Sequence, residues 1–320
     1  MIESPEAPSR PTAAESVPVD RSRQGVWSAV GAYLSWGLFP VYWKTLHQIP
    51  ALELICHRIL WSCLTLYILV AIRGMGREIA RAIVKPRIVA VYVIASILIG
   101  INWLVFVWGV NSGYVIETSL GYFINPLLSV LLGVVFLREN LRRWQWVSVL
   151  LAACAVLYLT LVYGSVPKIA LTLAFTFGLY GMVKKLAPLG SISGLTIETS
   201  LLIVPALTYL FWQAHIGHAA FMHLGSSSVV LLLASGLVTT FPLLLFAAAA
   251  QRIPLAQIGV LQYIAPTLQF ILGATVFHET FTPAQAGGFV LVWISLALFG
   301  IEGAVFHKRK GSSQVVRGNS

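Results

Sequence analysis

Gly121-Tyr-Phe-Ile-Asn-Pro126 runs through an apolar stretch to Arg138-Glu139, and the same design returns as Leu261-Gln-Tyr-Ile-Ala-Pro266 running on to His278-Glu279. In each copy Pro and Glu stand thirteen positions apart with a glycine between them, Gly133 or Gly273. The copies are 140 residues apart, and from about residue 95 to residue 139 no gap is needed to superpose them. Ala95 then falls on Ser235, Phe106 on Phe246, Glu117 on Gln257 and Leu120 on Val260. A repeat of this length, near half of the chain, points to a duplicated architecture.

The environment of that architecture follows from charge. Only 10% of residues are charged and 58% are hydrophobic, against about 25% charged in a soluble domain. So few charges leave nothing to coat a water-facing surface, and the chain reads as an all-α polytopic membrane protein in a lipid bilayer. Apolar runs long enough for roughly 30 Å of hydrocarbon fall at about 26–46, 52–72, 88–108, 115–137, 144–163, 167–186, 195–213, 228–249, 256–277 and 284–306. Turn or charge signals part them at Arg73-Gly-Met-Gly76, Asn111-Ser-Gly113, Tyr163-Gly-Ser-Val-Pro167 and Thr282-Pro283. Ten transmembrane helices are expected. Residues 1–24 read as a disordered tail with no signal peptide, and 307–320 as a basic tail.

The net charge of +10 would suit a nucleic-acid partner if it were clustered on a soluble face. Its placement argues instead for membrane orientation. With both termini in the cytoplasm, 18 of the 21 Lys and Arg lie in the tails and every second loop, and only Lys44, Arg58 and Lys168 lie on the other side. Lys184 and Lys185 are counted with the cytoplasmic set. The 140-residue offset pairs the first span with the sixth and the fifth with the tenth. Units of five spans, 25–164 and 165–306, must cross the bilayer in opposite senses. Two inverted five-helix repeats are the architecture of secondary transporters, with the substrate path near the midplane.

Pro126 lies about eleven residues into its span, near mid-membrane. It removes its own N–H and frees the carbonyl of Tyr122, as Pro266 frees that of Gln262. A free carbonyl at this depth is tolerated only against protein or a wet cavity. Glu117, Gly121 and Asn125 share one helix face. Kinking and close packing alone would also account for such prolines. Glu53, His57 and Arg58 bring charge into the second span, as a functional group or as interfacial anchors. Lys44 follows Pro40-Val-Tyr-Trp43 and reads as a snorkelling anchor. Glu198 stands within an uncharged run, as the partner of a basic residue or as a protonation site. With Glu117 and His57 it is one of the few groups able to couple transport to protons. Asn102, Trp103, Tyr122, Gln262 and Tyr263 can line a polar cavity with aromatic walls, although core packing is the ordinary use of such aromatics. Cys56, Cys63 and Cys154 lie in apolar runs with no metal spacing. His215, His218 and His223 fit no metal motif and read as a solvated loop. There is no P-loop, dinucleotide fingerprint, HExxH or nucleophile elbow, so neither an ATP-driven pump nor an enzyme finds support, and no cofactor or metal is expected.

Gln24-Gly-Val, Trp36-Gly-Leu-Phe-Pro40, His57-Arg58 with Trp61, Asn102-Trp103, Glu117 through Pro126, Ile197-Glu-Thr199 and Gln262-Tyr-Ile-Ala-Pro266 resemble the bacterial RarD proteins. Those belong to the EamA-type branch of the drug/metabolite transporter superfamily. The resemblance covers about residues 24–306. It implies ten helices in two five-helix repeats in the bacterial inner membrane, and a permease or exporter of small metabolites or drugs. Ala265 stands where the first copy has Asn125, so the halves differ at the kink. The expected function is alternating-access transport of a small polar or amphiphilic molecule around His57, Arg58, Asn102, Trp103, Glu117, Tyr122, Asn125, Pro126, Glu198, Gln262, Tyr263 and Pro266. A homodimer is compatible with this reading. A non-transporting assembly or regulatory protein and an intramembrane enzyme are the competing classes.

Overall fold

Glycine and proline mark the breaks between helices. The computed structural model describes residues 19–112, 114–163, 167–276, 283, 286–288, 290–295 and 297–302. The helices are α1 (Val19–Lys44), α2 (Ala51–Arg73), α3 (Gly76–Ile83), α4 (Pro86–Asn111), α5 (Val115–Val135), α6 (Arg143–Tyr163) and α7 (Lys168–Leu186). They continue with α8 (Ser191–His215), α9 (Ser226–Ala250), α10 (Leu255–Gln262) and α11 (Ile264–Thr275), and a last apolar helix lies within Ala286–Glu302. Pro50, Pro167 and Pro254 sit just ahead of helix starts, where a missing N–H is harmless. Gly74 closes α2 at φ 66°, a left-handed conformation that glycine adopts without strain. Among the described residues there is no strand.

Six helical stretches are long and apolar enough to cross a membrane: Ala51–Arg73, Pro86–Gly109, Lys168–Leu186, Ser191–His215, Ser226–Ala250 and Leu255–Thr275. Leu120–Val135, Arg143–Tyr158 and Ala286–Glu302 are shorter apolar helices. Their outward faces carry large apolar side chains, among them Ile72, Leu161, Val204 and Phe211, as a chain solvated by lipid requires. The protein is a multi-pass membrane protein.

The structure refines the sequence reading at several places. α1 begins at Val19, within the stretch read as tail. Two short elements had no hydropathy signal: the amphipathic α3 and the 3-10 turn Ala220–His223. The span expected at 256–277 is divided at Tyr263, whose N–H reaches back only three residues, to the Val260 carbonyl at 3.3 Å. His278 and Glu279 lie outside the described residues.

The 140-residue offset persists in three dimensions. α2 and α8 start at 51 and 191, α4 and α9 at 86 and 226, and α5 and α10 at 115 and 255. Packing partners exchange in the same way: α7 packs on α4 and α5, while α1 packs on α9 and on α10 and α11. α2 packs on α8 and α9, and α5 on α10. Each half therefore builds much of its contact surface on the other. Small residues allow the approach. A Cβ added at Gly259 would lie 2.5 Å from the Pro126 carbonyl oxygen, and one at Gly236 would run into the Trp61 backbone. The carboxylate of Glu139 ties the halves again, accepting hydrogen bonds from the N–H groups of Leu255 (2.7 Å) and Ala256 (2.8 Å) at the start of α10.

Candidate functional site

Arg58 enters α2 two turns from its start, and three other elements surround it. α1 supplies Trp43, whose ring centroid lies 4.6 Å from the guanidinium carbon, and α4 supplies Trp103 at 5.2 Å. α9 supplies Thr239, whose hydroxyl accepts a hydrogen bond from Arg58 Nε at 3.1 Å. Tyr42 and Tyr122 are its electrostatic neighbours. Arg58 is thus packed among protein groups yet keeps accessible surface. Two indole faces offset part of the cost of holding the cation there. Tyr122 packs edge-on against Phe106 at 6.0 Å, and the Tyr42 hydroxyl donates to the Leu231 carbonyl.

Asn102 stands beside Trp103 on α4 but has another task. Its Nδ2 donates to the Leu173 carbonyl and to Thr176 Oγ1, both at 2.9 Å, tying α4 to α7. Where α5 crosses α10, Pro126 meets Gly259 and the Tyr263 hydroxyl donates to the Phe123 carbonyl at 3.0 Å. The carbonyl engaged by this bond is one residue beyond that of Tyr122, which proline chemistry singled out. Asn125 Oδ1 and Gln262 Oε1 are buried on these two crossing helices with no hydrogen-bond partner among the described residues. Pro266 is buried on α11. Glu117 belongs to α5, but its side chain lies outside the described residues.

His57 and Glu198 sit apart from the Arg58 cage. Glu53 accepts from the N–H groups of Ala220 and Phe221 at 3.2 and 3.3 Å and lies 3.8 Å from His57 Nε2. The His57 ring stacks on Phe221 at 5.4 Å. Glu198 is held by Lys184 at 2.6 Å and by the Tyr180 hydroxyl at 3.0 Å. Lys184, counted with the loop cations from sequence, is buried inside the bundle because Glu198 supplies its counter-charge. Through Tyr180 this pair adjoins a cluster of rings. Tyr33, Trp36, Phe177, Tyr180 and Phe246 pack with centroids 5.4 to 6.4 Å apart. At the end of the bundle where α1 starts and α9 finishes, a cleft of about 520 Å³ is lined by Arg23, Gln24, Trp27, Ser28, Leu245, Ala248 and Arg252.

Sequence reasoning missed Trp43 and Thr239 as wall residues and Lys184 and Tyr180 as partners of Glu198. The offset held a signal for part of this: it places Glu198 on Arg58 and Lys184 on Lys44. Nothing in the sequence marked Thr239.

The model of the EamA-like transporter family matches the chain twice, over residues 23–161 and 167–301. "Uncharacterized transporter YojE" of Bacillus subtilis (strain 168) is 46% identical over 282 residues, 87% of this chain and 94% of that protein. "Protein RarD" of Escherichia coli (strain K12) is 40% identical over 295 residues, 91% and 98% of the two chains. "Chloramphenicol-sensitive protein RarD" of Pseudomonas aeruginosa is 26% identical over 287 residues, 88% of this chain and 95% of that protein. A protein of known crystal structure, 18% identical, superposes with a TM-score of 0.64 over 87% of this chain and 97% of its own.

Proposed function

The chain belongs to the EamA-like transporter family, and from that membership we propose a secondary transporter in the bacterial inner membrane. It moves a small polar or amphiphilic metabolite or drug by alternating access. In this reading ten helices form two inverted five-helix repeats with both termini in the cytoplasm, and the halves rock about the crossing of α5 with α10. The substrate site is the region around Arg58, Trp103 and Tyr122, with Asn125 and Gln262 as deeper polar contacts. His57, next to Glu53, is the group that exchanges a coupling proton. Relatives named as transporters point away from an enzyme.

One observation carries the reading. Along α1 the order is Ser28 at a cleft of about 520 Å³, then Tyr33 and Trp36 of the ring cluster, then Trp43 against the partly accessible Arg58. A barrier between a cytoplasmic cleft and a deeper polar site is what alternating access requires.

The test uses a chain in which Cys56, Cys63 and Cys154 are replaced by Ala, with a single cysteine introduced by Tyr122→Cys or Ala248→Cys. A membrane-impermeant thiol reagent is applied to right-side-out and inside-out vesicles. The thiol at 122 is expected to react from the outer face and the thiol at 248 from the cytoplasmic face. A strain screen against metabolites and antibiotics then searches for substrates that shift the balance. Failure of the thiol at 122 to react from either face would overturn the proposal.

A further inference from the structure

Among the described residues the charges inside the bundle do not balance locally. Glu53 is engaged by two backbone amides and His57. Glu139 is engaged by the amides of α10 and by Lys185 at 3.6 Å. Glu198 is neutralised by Lys184 at 2.6 Å, and Glu302 by Arg142 at 2.8 Å. Glu78 is exposed on α3. Among the described residues, no carboxylate comes within ion-pair distance of Arg58.

The geometry around that cation is selective. Trp43 and Trp103 lie over the guanidinium, and Nε is taken by Thr239. Among the described residues no acceptor meets the edge carrying the two Nη groups. That edge is the part of arginine that grips two oxygens of one oxyanion at once. A lysine would offer only a point charge there. Trp43, Trp103 and Tyr122, the last packed on Phe106, stand around it, so the remainder of a bound molecule meets aromatic surface.

We propose that Arg58 anchors an oxyanionic head group of the transported molecule, a carboxylate or phosphate on an apolar body. This deepens the transport reading and rests on it. The substrate supplies the counter-charge that the described residues do not, and the loaded site is less costly to hold in a low-dielectric interior than the empty one. A neutral or cationic analogue of the same shape gains none of this.

The experiment protects the thiol of Tyr122→Cys, in the background lacking native cysteines, from an impermeant reagent. The probes are benzoate, phenyl phosphate, benzamide and benzylamine, each present on both sides of the vesicles. Benzoate or phenyl phosphate is expected to protect, whichever does so assigning the head group, while benzamide and benzylamine do not. Adding Arg58→Gln is expected to weaken protection about ten- to a hundredfold, the usual worth of a charge-assisted hydrogen bond. Arg58→Lys retains the charge and guards against misreading a folding defect; it is expected to fall between the two. The inference is overturned if neither anion protects a reactive thiol, if benzamide protects as well as benzoate, or if anion protection survives Arg58→Gln. It is also overturned if benzoate protects only in Glu117→Gln, which would make Glu117 the standing counter-ion. In all of these the transport reading stands, whereas a thiol that reacts from neither face removes both.

Discussion

The ammonium of Lys184 lies 2.6 Å from the carboxylate of Glu198 with both side chains almost wholly buried, and 140 positions earlier the same two places are held by Lys44 and Arg58. The equivalent positions of the two halves therefore serve different ends. One carries a closed neutral pair, sealed by Tyr180. The other carries an arginine between two indoles with accessible surface.

Breaking the pair on one side strands a charge in the bundle. Glu198→Gln is expected to destabilise the protein by about 3 kcal/mol, because losing one partner of a buried pair costs far more than losing both. The double variant Lys184→Met with Glu198→Gln is expected to recover most of that loss. Thermal unfolding of the detergent-purified protein measures both. A Glu198→Gln protein as stable as wild type but defective in transport would instead make Glu198 a titrating group of the cycle.

Glu139 is expected to act as a cap rather than a surface charge. Its carboxylate meets the free amides at the start of α10, where a negative group is favoured by unsatisfied N–H groups and by the helix dipole. Glu139→Ala is expected to cost about 1 to 2 kcal/mol. Gly133→Ala attacks the same contact, since its Cβ would lie 2.5 Å from Glu139 Oε2 and 3.0 Å from the Ala256 nitrogen. The two losses are expected to be less than additive in a double-mutant cycle of melting temperatures. Full additivity would show that the glycine and the carboxylate act independently.

Much of this arrangement was legible in the sequence, and the remainder failed for identifiable reasons. The repeat Gly121–Pro126 and Leu261–Pro266 placed the two crossing helices correctly because duplication leaves spacing intact even where residue types diverge. Hydropathy found α2, α4, α8 and α9 because lipid demands unbroken apolar length. It could not find α3, whose eight residues include three charged ones, Arg77, Glu78 and Arg81. Nor could it find the break at Tyr263, since Pro126 and Pro266 are alike in sequence and only one is preceded by an interruption. Asn102 was legible as a polar group able to line a cavity but not as a tie to Thr176, because that pairing joins residues 74 positions apart on two helices. Trp43 stood in the sequence only as the residue ahead of the Lys44 anchor and not as a neighbour of Arg58, since sequence gives depth in the membrane without giving the direction a ring faces.

The contact between α2 and α9 leaves no room for a side chain at Gly236, where an added Cβ would meet the backbone of Trp61. Neither helix can yield without moving the other, because an obstruction by backbone cannot be relieved by a rotamer. Gly236→Ala is expected to lower the yield of folded protein severely. Gly225→Ala, at the cap of the same helix with nothing within 4 Å of its Cβ position, is expected to match wild type. Monodispersity in size-exclusion chromatography separates the two, and a normal profile for Gly236→Ala would mean that the helices stand further apart than described.

Tyr263 and Phe123 occupy the same place in the two copies, and the hydroxyl of one donates to the carbonyl of the other at 3.0 Å. The bond spans the crossing of α5 with the α10–α11 break, so it is made between the halves rather than within either. Tyr263→Phe removes the donor while keeping the ring in its cluster with Phe123, Ala152 and Val292. A loss of about 1 kcal/mol is expected, the net worth of one neutral hydrogen bond. Tyr263→Ala also empties the ring site and is expected to lose about 3 to 5 kcal/mol. If the halves rock about this crossing, Tyr263→Phe changes the rate at which the thiol of Tyr122→Cys is labelled by more than its small stability loss explains. Unchanged labelling with the expected 1 kcal/mol loss would make the bond a structural tie that stays closed throughout the cycle.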